Sequence, residues 1–257
     1  MNRTAAAGAL ARLAAARAGW LDEALDVIAS HRFVDAVWVE GSLGRGDADA
    51  LSDIDLVVAV GGSVPPEVFA DPVSGLGLPG GLLYTRDKPK NAPAGGAFRS
   101  VCLELVALPV LVDLYLWPTV TATMSATARL LYQRGDVRPP RSGLDFLPLL
   151  SQHPNGDTQA SDPYQPETAL MLVQLAAKHL ARGDHERHAA VLRQMQVRPA
   201  GTDTALLRSI LADRVDAKAH PHLRAAVAAA HRLIDVAEHP SGTPIRAGSS
   251  AAGGEVR

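Results

Sequence analysis

One cysteine, Cys102, occurs in the 257 residues. It excludes an internal disulfide, and no Cys/His group has the spacing of a structural zinc site. Lysine is almost as scarce: Lys88, Lys90, Lys178 and Lys218 are the only ones, and such Arg- and Ala-heavy usage reflects genome composition more than function. Neither sign of charge dominates. With 25 basic against 27 acidic residues the formal charge is −2, which disfavours a protein that wraps nucleic acid but leaves room for a small basic pocket. Long apolar runs are also missing. The best candidate, Val101 to Trp117, contains Glu104 and Asp113 and is broken by Pro109, so no membrane span is expected. Arg3, Arg12 and Arg17 among alanines resemble a transit peptide only superficially, because the pattern runs unbroken into Trp20-Leu21-Asp22-Glu23. That segment reads as one amphipathic helix, and the chain as cytoplasmic. What is present, 47% hydrophobic and 20% charged residues, is the composition of an ordinary globular protein with one large domain or two small ones.

Beyond the first helix, Phe33 to Glu40 reads as a strand that stops at Gly41-Ser42-Leu43-Gly44-Arg45-Gly46. A second buried strand is expected over Ile54 to Val60. Asp71 to Gly96 is Gly/Pro-rich and reads as a long irregular insertion with one apolar piece at Leu82-Leu83-Tyr84. Val101 to Ala107 and Val110 to Trp117 read as two strands joined near Leu108-Pro109. Thr119 to Gln133 looks helical, and Arg138 to Gly143 reads as a linker. From Pro166 the pattern is helical, with Gly183 as a helix terminator and Asp184 as the next N-cap. The domain assignment is a catalytic unit over 1–135, a helical C-terminal unit over 144–239 and a disordered tail over 240–257.

Chemistry concentrates at the first glycine-rich turn and the strand after it. After Gly46 and six intervening residues comes Asp53-Ile54-Asp55, continued by Leu56-Val57-Val58. Aspartates at i and i+2 on a strand share a face, and burying two like charges costs several kcal/mol unless a cation lies between them. Oxygen-only ligation favours magnesium or manganese. Gly41 and Ser42, at the end of the preceding strand, offer amides and a hydroxyl suited to the outer phosphates of a nucleotide. The plain alternative is a solvated acid pair at a turn.

This arrangement resembles the nucleotidyltransferase superfamily that includes DNA polymerase beta, and especially its antibiotic-modifying branch. An apolar-Gly-Ser element precedes an Asp-x-Asp pair, here with ten residues between Ser42 and Asp53. The resemblance covers Trp38 to Trp117 by motif and the helical half by architecture. It implies an α+β fold with a mixed sheet, flanking helices and an all-helical C-terminal domain. It also implies a third carboxylate on a later strand. Val112-Asp113-Leu114 fits that role, with Leu103-Glu104-Leu105 as a rival; Glu104 is otherwise an acidic substrate contact or surface. Asp113 is preferred because its strand is longer and cleaner.

By the same resemblance, Lys178 on Leu175 to Asp184 reaches the triphosphate from the second half. Arg45 reads as a phosphate contact or a helix start, with a flexible Gly44-Arg45-Gly46 loop as the alternative. Arg182 lies one turn beyond Lys178 on the same face. His179, His185 and His188 read as surface residues rather than ligands, and Tyr115 and Trp117 as core. The implied reaction moves AMP from ATP to a hydroxyl, with two Mg²⁺ ions held by Asp53, Asp55 and Asp113. The acceptor is expected to be small and hydroxylated, such as an aminoglycoside or lincosamide, with no nucleic acid or membrane involved; a homodimer is left open. Modification of a partner protein and non-catalytic nucleotide sensing are the alternatives.

Overall fold

The computed structural model describes residues 2–87, 91–154, 162–198 and 201–239. It is α+β, a mixed sheet flanked by helices and followed by a helical part. Helix α1 (Arg3–Ser30) leads into β1 (Val34–Val39), a one-turn helix α2 (Gly41–Arg45) and β2 (Ile54–Val60). Short helices α3 (Pro66–Ala70) and α4 (Pro72–Gly75) precede β3 (Gly81–Asp87), β4 (Ala97–Leu105), β5 (Leu108–Pro118) and β6 (Arg129–Gln133). Helices α5 (Phe146–Ser151), α6 (Pro166–Ala181), α7 (His185–Gln194), α8 (Asp203–Arg214) and α9 (Arg224–Ala237) complete the chain. The tail from residue 240 lies outside the described residues.

The six strands run in the order β3-β4-β5-β2-β1-β6. Only β2 and β5 pair in parallel; the other neighbours are antiparallel. Alternation along β1 and β2 sends side chains to two different cores. Val37, Val39, Leu56 and Val58 join Leu13, Trp20, Ala24 and Ile28 of α1, and this cluster continues into α6, α8 and α9. Trp38, Val57, Ala59, Tyr115 and Trp117 point the other way and are covered by Met124, Phe146 and Leu149. Trp38 and Trp117 are fully buried, so truncating either to Ala would cost about 3–5 kcal/mol. The expectation that Tyr115 and Trp117 belong to the core agrees with this placement.

Two readings of secondary structure need correction. The segment read as an irregular insertion contains β3, an edge strand whose Leu83 and Tyr84 are buried. Thr119 to Gln133 is not helical: it is a loop followed by β6, the opposite edge strand. An edge strand half in solvent has no clean alternation of polar and apolar residues, so its period carries little signal. Residues 138–143, which read as a linker, are docked by hydrogen bonds to the loop before β6. Arg141 donates to the carbonyls of Ser125 (3.0 Å), Ala126 (3.0 Å) and Ala128 (2.9 Å), and Ser142 N donates to Met124 O (2.8 Å).

Candidate active site

The Gly-Ser turn folds as the sequence predicts. Gly41 opens α2 with φ 59°, and a Cβ there would collide with Asp55 Oδ2, so glycine is required both by conformation and by space. A Cβ on Gly44 would lie 2.8 Å from Thr127 O and 2.9 Å from Val39 O, so α2 packs closer to the sheet than any larger residue allows. The Ser42 hydroxyl takes no hydrogen-bond partner among the described residues.

Pairing register then assembles a polar row across the sheet. Arg86 stands opposite Ser100, Ser100 opposite Asp113, and Asp113 opposite Asp55. Glu40 continues the row, donating its amide to Asp55 O at 2.9 Å. Asp55 and Asp113 thus occupy matched positions on adjacent parallel strands, whose backbones lie about 4.8 Å apart. Burial, then the charges of Asp113, Asp53 and Glu40, push the Asp55 carboxyl up to about 7, with Arg45 acting weakly in the opposite direction. A nearby cation would relieve that crowding.

Glu40 adjoins this row and is not singled out by the sequence motifs. It is fully buried, and its carboxylate accepts from Trp38 Nε1 (2.8 Å), the Ser125 hydroxyl and the Ser125 amide (3.3 Å). Burial pushes it above the usual carboxylate range, and those hydrogen bonds offset part of the rise. The signal for it in the sequence is an acid ending an apolar strand immediately before Gly41.

The segment bearing Asp53 is clamped from two sides. Lys178 of α6, only 2% exposed, donates to Asp53 Oδ1. One turn on, Arg182 grips Asp49 with two hydrogen bonds of 2.7 Å. From α1, Arg17 Nη1 donates to Asp49 O (2.6 Å) and Ser52 O (2.9 Å). Burial alone would raise Asp49; the Arg182 contacts outweigh it and hold the carboxyl below its ordinary value. Arg45 is more exposed, pairing with Asp47 at 3.1 Å.

Glu104 lies apart from this group. Its strand partners are Gly81 and Pro109, four residues beyond the Ser100 position, or about 13 Å along the strand. Its carboxylate pairs with Arg232 at 3.3 Å. The histidines divide. His185 is exposed as expected, but His188 is 3% exposed, with Nδ1 2.9 Å from Ala176 O, so the surface reading fails there. It packs in the α6–α7 contact, where helical spacing alone could not place it.

A mixed sheet carrying paired carboxylates beside a glycine-serine turn defines a fold consistent with nucleotidyltransferases. The family model for the "Nucleotidyltransferase domain" matches residues 21–72, which run from the C-terminal part of α1 to the first residue of α4 and include Gly41, Ser42, Asp53 and Asp55. This match supports the nucleotidyltransferase superfamily and general nucleotidyl transfer. No curated protein matches the chain.

Nucleotidyltransferase domains generally use a nucleoside triphosphate and a divalent metal. The donor chemistry here fits a hard cation: Asp55 and Asp113 supply oxygens only, and the raised Asp55 marks unneutralised negative charge. Among the described residues no group of three or more Asp, Glu, His or Cys side chains is placed to hold a metal ion. The ammonium of Lys178 holds Asp53 Oδ1.

Proposed function

We propose that the protein transfers a nucleoside monophosphate, AMP from ATP, to a hydroxyl of a small acceptor and releases pyrophosphate. The observation carrying this reading is the register match of Asp55 and Asp113 beside the Gly41-Ser42 turn, with Lys178 facing them from α6. Asp53, Asp55 and Asp113 would hold Mg²⁺, two ions in the full reading. When bound, the metal neutralises phosphate charge and acidifies the acceptor hydroxyl. Gly41 and Ser42 bind the outer phosphates, with Arg45 at the turn's far end. Lys178 leaves Asp53 for the triphosphate, stabilising charge that builds on the pyrophosphate. Asp113 accepts the hydroxyl proton. The acceptor oxygen bonds to the α-phosphorus as the α–β phosphoanhydride bond breaks.

The charge balance supports a small acceptor over nucleic acid, and the resemblance offers aminoglycosides and lincosamides as examples. Incubation with α-labelled ATP, magnesium and a metabolite extract tests the reading. Label is expected in a small product and is lost in Asp55→Asn. Label on protein would instead indicate modification of a partner, and no label would indicate a nucleotide sensor. Undiminished transfer by folded Asp55→Asn would overturn the metal assignment.

A further inference from the structure

We propose that Arg86 binds an oxyanion carried by the acceptor, so that the acceptor is an anionic hydroxylated molecule rather than a polycationic aminoglycoside. The inference rests on the nucleotidyl-transfer reading and narrows its substrate class. Arg86 sits on β3 and is 7% exposed. Its Nε lies 3.3 Å from Thr168 Oγ1, and its Nη1 rests on the Met171 sulfur, a weak acceptor. Among the described residues, no carboxylate lies within ion-pair distance of it. Removing a guanidinium from water is costly unless hydrogen bonds and opposite charge replace the solvent. Here the replacement is incomplete, and burial draws the guanidinium below its ordinary pKa despite Tyr84, Asp113 and Glu167.

Position assigns the missing partner. In the strand order, the Gly41-Ser42 turn follows β1 on one side of Asp55 and Asp113, while Arg86 lies two strands away on the other. A hydroxyl held at Asp113 therefore places the rest of its molecule over β4 and β3. Helix α6 adds further donors on that side. Thr168 is 2% exposed, and Gln174 is fully buried, with Oε1 accepting from Tyr84 Oη at 3.0 Å and Nε2 without a partner. A guanidinium, a hydroxyl and an amide N–H can donate to an oxyanion, and the guanidinium repels an ammonium.

The test uses the full chain with magnesium and α,β-methylene-ATP, which occupies the nucleotide site without reacting. Inorganic phosphate and acetate are titrated as separate probes by calorimetry. One Arg86-dependent anion site is expected: tighter phosphate binding indicates a phosphorylated acceptor, and tighter acetate binding a carboxylated one. Arg86→Met should weaken the preferred anion roughly ten- to hundredfold, whereas Arg187→Met, which removes an exposed cation, should not. Should Arg86→Met fail to fold, ¹⁵N-arginine spectra of the wild type decide, with the Arg86 Nε–H resonance, assigned through Arg86→Lys, expected to shift on titration. No anion binding to the nucleotide-loaded protein, equal binding by folded Arg86→Met, or an unmoved Nε–H resonance would overturn the inference. Failure to bind α,β-methylene-ATP would instead count against the nucleotidyl-transfer reading.

Discussion

Asp55 and Asp113 stand at matched positions on β2 and β5, the only parallel neighbours in the sheet, and burial and like charge push Asp55 up to about 7. The metal-free protein therefore bears a destabilising charge near neutral pH. Between the ordinary value of 3.8 and about 7, the folded state keeps the Asp55 proton while the unfolded chain loses it. Over that window the unfolded state binds fewer protons, so this group's contribution to stability falls as pH rises and levels off above about 7.

Asp55→Asn removes that charge. Without metal, the variant is expected to be more stable than wild type at pH 8, by up to about 3–4 kcal/mol. The advantage should shrink as pH falls through 7 and disappear near 4. Urea melts at pH 8 and pH 4.5 in EDTA check it, and a variant less stable than wild type at pH 8 would contradict the crowded-charge account.

Lys178 acts as an internal counter-ion to Asp53, and a cation that shares a ligand with metal must compete with it. Lys178→Met keeps the apolar stem and removes the ammonium. Without nucleotide, Mn²⁺ should bind this variant several-fold more tightly, while affinity for the ATP analogue falls about tenfold or more. Electron paramagnetic resonance of free Mn²⁺ and nucleotide calorimetry read the two opposite changes. Weaker Mn²⁺ binding would show that Lys178 supports the metal site instead of competing for it.

Gly41 touches the site through the atom it lacks. Gly41→Ala places a Cβ against Asp55 Oδ2 in a backbone region that costs L-residues about 1 kcal/mol or more. The expected outcome is a stability loss of about 1–3 kcal/mol and a drop in nucleotidyl transfer of at least about tenfold, larger than stability explains. Thermal melts beside transfer assays separate these effects; a variant that keeps full transfer would mean Asp55 need not hold this position.

Ser125 stabilises a carboxylate with no access to water. Ser125→Ala leaves Glu40 with the Trp38 indole and one backbone amide, at an expected cost of about 1–3 kcal/mol. Because burial has raised Glu40, the cost should shrink as pH falls and the carboxylate takes up its proton. A pH-independent loss in denaturant melts would mean that the hydroxyl acts through packing alone.

The parts of the site that are legible in the sequence are those fixed by local geometry. The expectation that Asp53 and Asp55 share a face rests on a strand's period of two, although β2 itself begins at Ile54, and Gly41-Ser42 marks a turn that only glycine can make. Asp113 can be picked out by its apolar neighbours, but choosing it over Glu104 requires the strand register, which separates Glu104 by four positions. Arg86 and Gln174 give no warning, since Arg86 meets Thr168 across 82 residues and Tyr84 meets Gln174 across 90. The segment carrying Arg86 reads as irregular because its glycines and prolines flank a short edge strand. Glu40 escapes for a different reason. An acid at a strand end reads as solvated until the sheet and Ser125 close over it.

That Asp55 and Asp113 together form the metal-dependent centre is decided by calorimetry of α,β-methylene-ATP with and without magnesium. Wild type and Glu104→Gln are expected to gain at least about tenfold in affinity when magnesium is added, and Asp55→Asn and Asp113→Asn to lose most of that gain while remaining folded. An equal gain in all four proteins, or its loss in Glu104→Gln alone, would contradict this assignment.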